Sequence, residues 1–275
     1  MSKDLTSFTA QAVACIGKGK VQEGVALLDR VYEFLYHYDG QDSLYQRKKA
    51  FLEAYMLLIG VSPDHKSRYE LIIQYGVPRS GSTLIWQICD AIYPGLVIKT
   101  HDAVDTGGKS ILSVRDPRDT LVSRWQIRLA NQDLSAAPKM TNGQIIGGAD
   151  VIKRDLAKLM AFIAAQDDPE RMLIIRYEIA FFEGNLKLIR QLKKFLNVDL
   201  SRGQEEEFAG KFSIMNNKRI SEQLASFDEY DDKSHIHGNH INGARPGKWR
   251  DFITLPQQHI VEKLFKEELT FFGYR

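Results

Sequence analysis

The sequence has few cysteines and no long apolar run. Only Cys15 and Cys89 occur in 275 residues, far apart and each inside an apolar helical pattern, which favours reduced core thiols over a disulfide framework or a metal site. Neither a run of roughly 18 apolar residues nor an apolar N-terminal leader is visible. We therefore expect a cytoplasmic protein that does not contact a membrane.

The sequence also lacks an excess of either charge. Lys+Arg 37 and Asp+Glu 35 leave a formal net charge of +2, which is too small for the broad positive field of a nucleic-acid-binding protein. With 44% hydrophobic residues, the chain can bury one large core. We expect one domain over residues 1–275, with any anion recognition local and its ligand small.

A third absence is the phosphate loop of nucleotide triphosphatases, G-x-x-x-x-G-K-[ST]. The nearest match, Gly108-Lys109-Ser110, has Ala103 where the first glycine should stand, and it precedes an apolar strand pattern instead of following one. The backbone turn and the helix N-terminus that bind phosphate would both be missing there. We therefore reject this fragment as a phosphate site.

What the sequence does contain is a β-branched run from Leu71 that breaks into a turn, Pro78-Arg79-Ser80-Gly81-Ser82-Thr83, and then a helix. Gly81 lets the backbone N–H groups converge, Ser82 and Thr83 add hydroxyl groups, Arg79 adds a fixed charge, and the helix dipole favours an anion. The pattern predicts a P-loop-like phosphate-binding loop. Taken alone, it equally fits an ordinary βα turn capped by Ser82.

Alternating strand and helix patterns predict an α/β fold of three layers, a parallel sheet flanked by helices. Before it, residues 1–69 have two apolar stripes separated at Gly40, which predicts a helical hairpin packed on a core at 70–275. Periodicity is lost near 226–247, which suggests a lid over a site. The predicted strands begin at 71, 96, 111 and 172. The predicted helices cover 83–93, 151–165, 185–196 and 257–269, and a further helix begins at 117.

Polar residues follow three of the predicted strands, at the edge where open α/β sheets bind ligands. Besides the loop at Arg79, Arg115 leaves a strand and Ser123 lies two turns into the next helix, so together they are suited to a second phosphate. Two anion sites predict a doubly phosphorylated nucleotide. Lys99-Thr100-His101 ends another strand, and His101, with an ordinary pKa near 6.5, is a candidate base or a structural strand cap.

These motifs resemble those of the sulfotransferases that use 3′-phosphoadenosine 5′-phosphosulfate (PAPS). The resemblance implies that residues 78–83 bind the 5′-phosphosulfate, that Arg115 and Ser123 bind the 3′-phosphate, and that His101 is the catalytic base. Lys99 and Arg79 would then face the leaving group as it gains charge. It also implies that Tyr177, in Tyr177-Glu178, contacts adenine and that Phe212, which opens Phe212-Ser213-Ile214-Met215-Asn216-Asn217, stacks on it.

The sequence departs from the family's pattern at three places. Arg79 stands where the cytosolic members have lysine, and Leu84 stands where a tryptophan usually caps the adenine, which leaves Trp86 as a substitute. Before Gly247-Lys248-Trp249-Arg250, which resembles the family's Gly-Asp-Trp-Lys, the cofactor-closing Arg-Lys-Gly is replaced by Asn242-Gly243-Ala244. We expect Gly243, or Arg245 from a shifted position, to close on the 3′-phosphate.

The resemblance implies transfer of a sulfuryl group from PAPS, with 3′-phosphoadenosine 5′-phosphate (PAP) as product, to a hydroxyl or nitrogen of a small molecule. Cyanobacterial toxin-pathway sulfotransferases acting on saxitoxin-type guanidinium alkaloids look like relatives, which suggests a specialised metabolite. No divalent metal is expected, since a sulfuryl group carries less negative charge than a terminal phosphoryl group. The alternatives are a kinase-like phosphotransferase and a nucleotide-binding protein without catalysis. The oligomeric state stays open.

One further alternative concerns the histidines of the lid segment, His235, His237 and His240. Clustered histidines can bind zinc. Here no carboxylate or thiol accompanies them at a fixed spacing, so the pattern favours a mobile segment over a metal site.

Overall fold

A computed structural model of the chain describes residues 2–38, 44–130, 139–182, 184–231, 233–238, 241 and 245–274. Its centre is a sheet of four parallel strands in the order β2-β1-β3-β4. The predicted parallel sheet is confirmed, with each strand starting within two residues of its predicted start. The strands are β1 (Leu71–Gly76), β2 (Leu96–Thr100), β3 (Lys109–Val114) and β4 (Met172–Arg176).

Helices cover both faces of the sheet and make the predicted three layers. Neighbouring residues of β1 point to opposite faces: Ile73 packs into one apolar cluster, whereas Ile72 packs into another. The helices are α1 (Ser2–Gly17), α2 (Val21–Tyr36), α3 (Tyr45–Val61), α4 (Ser82–Ile92), α5 (Pro117–Ala130), α6 (Asn142–Ala164), α7 (Tyr177–Phe182), α8 (Asn185–Leu196), α9 (Arg202–Lys211), α10 (Ile214–Glu222), α11 (Leu255–Leu264) and α12 (Lys266–Phe271).

Helices α1, α2 and α3 correct the prediction of a hairpin, because the first predicted arm is two helices. The chain turns after Gly17, where Gly19 has a φ of +76°, in the left-handed region that glycine adopts without strain. Phe51 and Tyr55 of α3 are buried in the same apolar cluster as Leu71 of β1. The N-terminal helices therefore extend the core of the sheet on one face. Gly40 lies outside the described residues.

Two other helices differ from their predicted bounds. Helix α6 begins at Asn142, well before 151, and Thr141 and Gln144 cap it reciprocally: Thr141 N donates to Gln144 Oε1 at 2.9 Å, and Gln144 N donates to Thr141 Oγ1 at 3.3 Å. The glycines in its first turns hide this start in the sequence, since glycine weakens a helical pattern. The predicted helix at 257–269 is two helices, α11 and α12, which meet at Phe265.

The predicted lid segment is described only in part, and residues 232, 239–240 and 242–244 lie outside the described residues. Within it, Asp231 N donates to Ile236 O at 2.9 Å, and Gly238 N donates to Glu229 O at 3.0 Å. Gln87 Nε2 of α4 donates to Ser234 O at 2.7 Å. This turn therefore packs against the helix that follows the phosphate loop. Closure over a site stays a prediction.

Across the described residues, no helix combines the length and the apolar character needed to cross a bilayer.

Candidate active site

The predicted phosphate loop lies between β1 and α4 at the carboxyl edge of the sheet. Gly81 has a φ of +81° and Arg79 a φ of +77°, and the second value is uncommon for a residue with a side chain. Ser80 Oγ donates to Val77 O at 2.6 Å and lies 2.7 Å from Ser113 Oγ. Because Ser80 is fully buried, these hydroxyl contacts anchor the loop to the end of β3.

Close backbone approach at the start of the loop also depends on a glycine. A Cβ on Gly76 would lie 2.2 Å from Ser113 Oγ and 2.6 Å from Ser82 Cβ, so any larger residue would push the loop away from β3. The loop is therefore built against the strand that carries the second predicted motif.

The structure brings the second motif to the first. Arg115 directly follows β3, and Ser123 lies on α5, where its Oγ accepts a hydrogen bond from Arg79 Nε at 3.0 Å. Burial, and then repulsion from Arg115, lowers the pKa of Arg79 to about 10. Two guanidinium groups are thus held close together away from water, an arrangement that an anion would stabilise.

Arg115 has a buried donor that is suited to an anion. Its residue is 7% exposed, and its buried Nε has no hydrogen-bond partner within the described part of the chain. The centroid of the Tyr177 ring lies 4.3 Å from Arg115 Cζ, so this residue packs on the guanidinium group, and its predicted contact with adenine stays a prediction. A buried donor without a partner is costly, and an anion at this place would remove that cost.

Lys99 lies near the end of β2, and β1 separates this strand from β3, which Arg115 follows. Its Nζ donates to Thr83 Oγ1, in the first turn of α4, at 2.8 Å. The residue is 8% exposed, and burial lowers its pKa to about 8. Lys99 therefore combines a fixed position beside the phosphate loop with a proton that it can lose near neutral pH.

His101 follows β2 and turns its ring toward β1. His101 Nδ1 lies 2.6 Å from Gly76 O. Since a carbonyl oxygen can only accept, Nδ1 carries the proton and Nε2 keeps its lone pair. The residue keeps an exposed edge, yet desolvation lowers the pKa of the ring below its ordinary value of 6.5, with the Gly76 hydrogen bond opposing. At neutral pH, His101 is thus a neutral base with Nε2 free to accept.

Two of the aromatic residues predicted near adenine line the same cavity. Phe212 and Trp86 both line a space of about 510 Å³ between α4, α10 and the turn at 231–234. Leu84, the positional equivalent of the family's tryptophan, is 5% exposed and packs in the apolar core. Trp86 is therefore the aromatic residue of α4 that reaches a cavity together with Phe212.

Asp119 holds the end of the lid segment, a role that the sequence analysis missed. Its carboxylate oxygens accept from Gly247 N at 2.7 Å and from Trp249 N at 2.9 Å, which ties α5 to the motif after the lid segment. Arg245 pairs with Asp251 at 2.6 Å, on an exposed surface, and Gly243 lies outside the described residues. The closure on the 3′-phosphate predicted for these two residues stays untested.

Lys248 is a second residue that sequence reasoning did not identify. Burial, and then the positive charge of Arg115, lowers its pKa, so Lys248 lies within electrostatic reach of the arginine that has the partnerless Nε. Its Nζ lies 3.4 Å from Gln126 Oε1. In the sequence, the one indication of a role for Lys248 is its position beside Trp249 in the motif Gly247-Lys248-Trp249-Arg250.

The two described histidines of the lid segment, His235 and His237, are engaged in packing and hydrogen bonding. His235 lies 4.3 Å from the Tyr45 ring and 4.7 Å from the Trp86 ring, and His237 Nδ1 lies 2.8 Å from Phe227 O. His240 lies outside the described residues. Among the residues that are described, no three His, Cys, Asp or Glu side chains form a group that could hold a metal ion.

Comparison with known proteins gives consistent matches. A family model described as "Sulfotransferase domain" matches residues 96–273, a span that includes Lys99, His101, Arg115 and Ser123 but not Arg79. Cytosolic sulfotransferase 16 of Arabidopsis thaliana is 22% identical over 175 residues, which cover 60% of this chain and 52% of that protein. The chain thus spans about half the length of the curated relative it matches.

Two solved structures share the fold. Mouse sulfotransferase SULT7A1, complexed with PAP, is 16% identical with a TM-score of 0.53, over 77% of this chain and 89% of that one. Retinol dehydratase, in complex with androsterone and PAP, is 16% identical with a TM-score of 0.53, over 72% of this chain and 80% of that one. The predicted fold class is confirmed by this likeness and by the parallel sheet.

Proposed function

This chain belongs to the sulfotransferase domain family, and from that membership we propose that it transfers the sulfuryl group of PAPS to a hydroxyl or nitrogen of a small molecule. The observation that carries the proposal is the buried pair of guanidinium groups, Arg79 and Arg115, beside a phosphate-type loop. Arg79 donates to Ser123, and Arg115 keeps a buried Nε without a hydrogen-bond partner in the described chain. This donor set fits a ligand that carries two phosphate groups.

Each motif has its own role in binding. Arg115 and Ser123 hold the 3′-phosphate, and the backbone of residues 80–83, with the start of α4, holds the 5′-phosphosulfate. Arg79 supports both sites, because its backbone forms the loop while its side chain reaches Ser123. The adenine ring stacks on Phe212, in the cavity that Trp86 also lines.

The residues of the transfer side act on the proton and on the developing charge. PAPS, when bound, supplies an activated sulfuryl group whose sulfur bonds to the acceptor as its bond to the phosphate oxygen breaks. His101 Nε2 takes the acceptor's proton, since its Nδ1 is occupied by Gly76 O. Lys99, held by Thr83, places a positive charge where the leaving phosphate gains negative charge.

We further propose that residues 1–275 act as one domain and that the segment 226–247 covers the site when ligands bind. The turn at 231–238 already packs on α4 through Gln87 and Ser234. The acceptor is a small molecule, and guanidinium alkaloids, suggested by the sequence resemblance, are one class to assay.

The test is direct. The purified protein is supplied with PAPS, with EDTA present, and incubated with extracts or acceptor panels while mass spectrometry follows the gain of a sulfuryl group and calorimetry follows PAP binding. We expect sulfated product and PAP binding without added metal. A requirement for Mg²⁺ and ATP would instead indicate a kinase-like phosphotransferase, and PAP binding without any product would indicate a nucleotide-binding protein.

A further inference from the structure

A second cavity lies between α5 and α6, away from the proposed adenine site. Its volume is about 230 Å³, below the roughly 300 Å³ at which pockets begin to hold a whole drug-sized ligand. Helix α6 approaches α5 closely beside it, because Gly148 has no side chain: a Cβ there would lie 2.5 Å from Leu121 Cδ1. The space suits one ring or one short chain of a larger molecule.

The charged groups that line this cavity are all positive. Arg124 and Arg128 lie one turn apart on the same face of α5, and no carboxylate among the described residues lines the space. Arg124 is fixed by Asp155, which accepts from its NH1 at 3.0 Å, so its other donors keep a defined direction. No carboxylate that the structure describes pairs with Arg128.

The rest of the lining is mostly apolar and includes the Trp125 ring, Met140 and Ile152. Arginines that meet an apolar wall favour an organic anion with a flat or aliphatic body, since the wall buries the body while the guanidinium groups bind its charge. A cationic molecule such as a guanidinium alkaloid would be repelled there.

Both helices that form the cavity also carry residues that interact with the candidate active site. Arg124 directly follows Ser123, whose Oγ receives the hydrogen bond from Arg79. On α6, Asp155 lies one turn beyond Val151 and Ile152, which line the cavity. The negative charge of Asp155 favours the protonated ring of His101 and so opposes the lowering of its pKa. Arg124 thus lines the cavity, and its partner Asp155 lies within electrostatic reach of the proposed base.

We propose that this cavity is an acceptor subsite for a carboxylate or a similar small organic anion, held by Arg128 and Arg124 beside Trp125. The proposal rests on the proposed sulfotransferase function and narrows its substrate class to acceptors that carry a negative charge next to an apolar body.

The first experiment measures anion binding to the PAP-saturated protein. Benzoate and benzamide are the probes, and tryptophan fluorescence and calorimetry are the readouts. We expect benzoate to bind at least about tenfold more tightly than benzamide, and Arg128→Gln to weaken benzoate at least about tenfold. Arg154→Gln, an exposed arginine of α6 outside the cavity, is the matched control and should bind benzoate as the parent protein does.

The second experiment assigns the anion to the acceptor. With PAPS supplied, 4-hydroxybenzoate, 4-hydroxyphenylacetate and 3-(4-hydroxyphenyl)propanoate are each compared with the matching amide. We expect at least one acid to exceed its amide about tenfold in kcat/KM through a lower KM, and Arg128→Gln to remove that advantage.

The outcomes separate the two proposals. Failure to bind PAP would overturn the sulfotransferase proposal, whatever benzoate does. With PAP bound normally, absence of benzoate binding, displacement of benzoate by PAP, or an Arg128→Gln variant that binds benzoate normally would overturn the anion subsite. Benzoate binding without an advantage for any acid would make the cavity an effector site, and so overturn its assignment to the acceptor.

Discussion

The cofactor side and the transfer side of the candidate site each contain charged groups that are partly shielded from water, yet these groups respond differently to pH. On the cofactor side, burial lowers the pKa of Arg79 from 12.5 to about 10, so the side chain is still a cation at neutral pH. On the transfer side, burial lowers the pKa of Lys99 from 10.5 to about 8 and that of His101 below 6.5. Binding of the nucleotide should therefore vary little around neutral pH, whereas turnover should vary on both sides of it.

This difference gives a physical reason for arginine at position 79. A lysine buried there to the same extent as Lys99 would lose its charge as pH rises through about 8. The guanidinium group starts from a higher pKa and keeps its proton. The chain thus keeps a permanent charge where phosphate binds and a titratable charge where the leaving group departs.

The largest expected effect comes from His101, on the transfer side. His101→Ala should lower kcat by about 10²–10⁴-fold, because it removes the base that takes the acceptor's proton. PAP affinity should change little, because the predicted phosphate-binding residues Arg115 and Ser123 stay in place. Steady-state kinetics and calorimetry of the folded variant test this. Full turnover in a folded His101→Ala protein would remove the general-base role.

The pH profile of kcat tests the same side without a substitution. His101 must be neutral to act, and its pKa is lowered, so the rate should stay high through 6.5 and fall only at lower pH. Lys99 must be charged, and its pKa is about 8, so the rate should fall as pH rises through that value. A profile that is flat from neutral pH to pH 10 would contradict the role given to Lys99.

Substitution of Lys99 tests whether loss of its charge causes the fall in rate at high pH. Lys99→Met should lower kcat by about 10²–10³-fold, the size seen when one donor to a developing charge is removed. Lys99→Arg keeps the charge and should shift the alkaline limb upward, although its geometry differs. If the rate of Lys99→Arg still falls near pH 8, the group that causes this fall is not Lys99.

The regular parts of this fold could be predicted from the sequence, whereas contacts between distant segments could not. The strand at Leu71–Gly76 is rich in apolar residues and is buried on both faces, which is typical of a parallel strand inside an α/β fold. The hydrogen bond from Arg79 to Ser123 joins two motifs that are 44 residues apart, and no local pattern predicts it. The lowered pKa of His101 follows from burial in the folded chain, so the sequence predicted only the ordinary value.

Helix bounds were predicted less well where glycine interrupts the pattern. Helix α6 has Gly143, Gly147 and Gly148 near its start, and periodicity alone misses the capping pair of Thr141 and Gln144. One of these glycines, Gly148, also permits the close contact of α6 with α5 beside the arginine-lined cavity. The sequence pattern therefore predicted neither the start of α6 nor the cavity that we propose as an anion subsite.

On the cofactor side, substitutions should lower the affinity for PAP, and Arg115→Ala should lower it more than Ser123→Ala. Arg115→Ala should weaken PAP binding about 10- to 150-fold, since hydrogen bonds to charged groups contribute about 1.5–3 kcal/mol. Ser123→Ala should cost tenfold or less, because it removes a neutral hydroxyl group. Calorimetry at pH 7 measures both. Equal PAP affinity in Arg115→Ala and the parent protein would contradict the two-phosphate site.

The smallest expected effect is on stability and concerns His235, which packs beside the transfer side. His235 is 6% exposed, and burial, followed by the charge of Lys99, lowers its pKa to about 4. An unfolded chain would protonate this ring near pH 6.5, so below that pH the unfolded state binds a proton that the folded state excludes. Stability due to this group is therefore complete above pH 6.5 and is lost as pH falls toward 4, by at most about 1.4 kcal/mol per pH unit.

The substitution His235→Asn isolates this effect, because asparagine tolerates the left-handed backbone at this position, where φ is +54°, and does not titrate. The variant should be less stable at pH 8, where the ring contacts with Tyr45 and Trp86 are lost. Its stability should then fall less steeply between pH 6.5 and 4 than that of the parent, as urea denaturation at several pH values would measure. Parallel curves for the two proteins would mean that His235 takes up its proton in the folded state, and that burial beside Lys99 does not keep this part of the transfer side neutral.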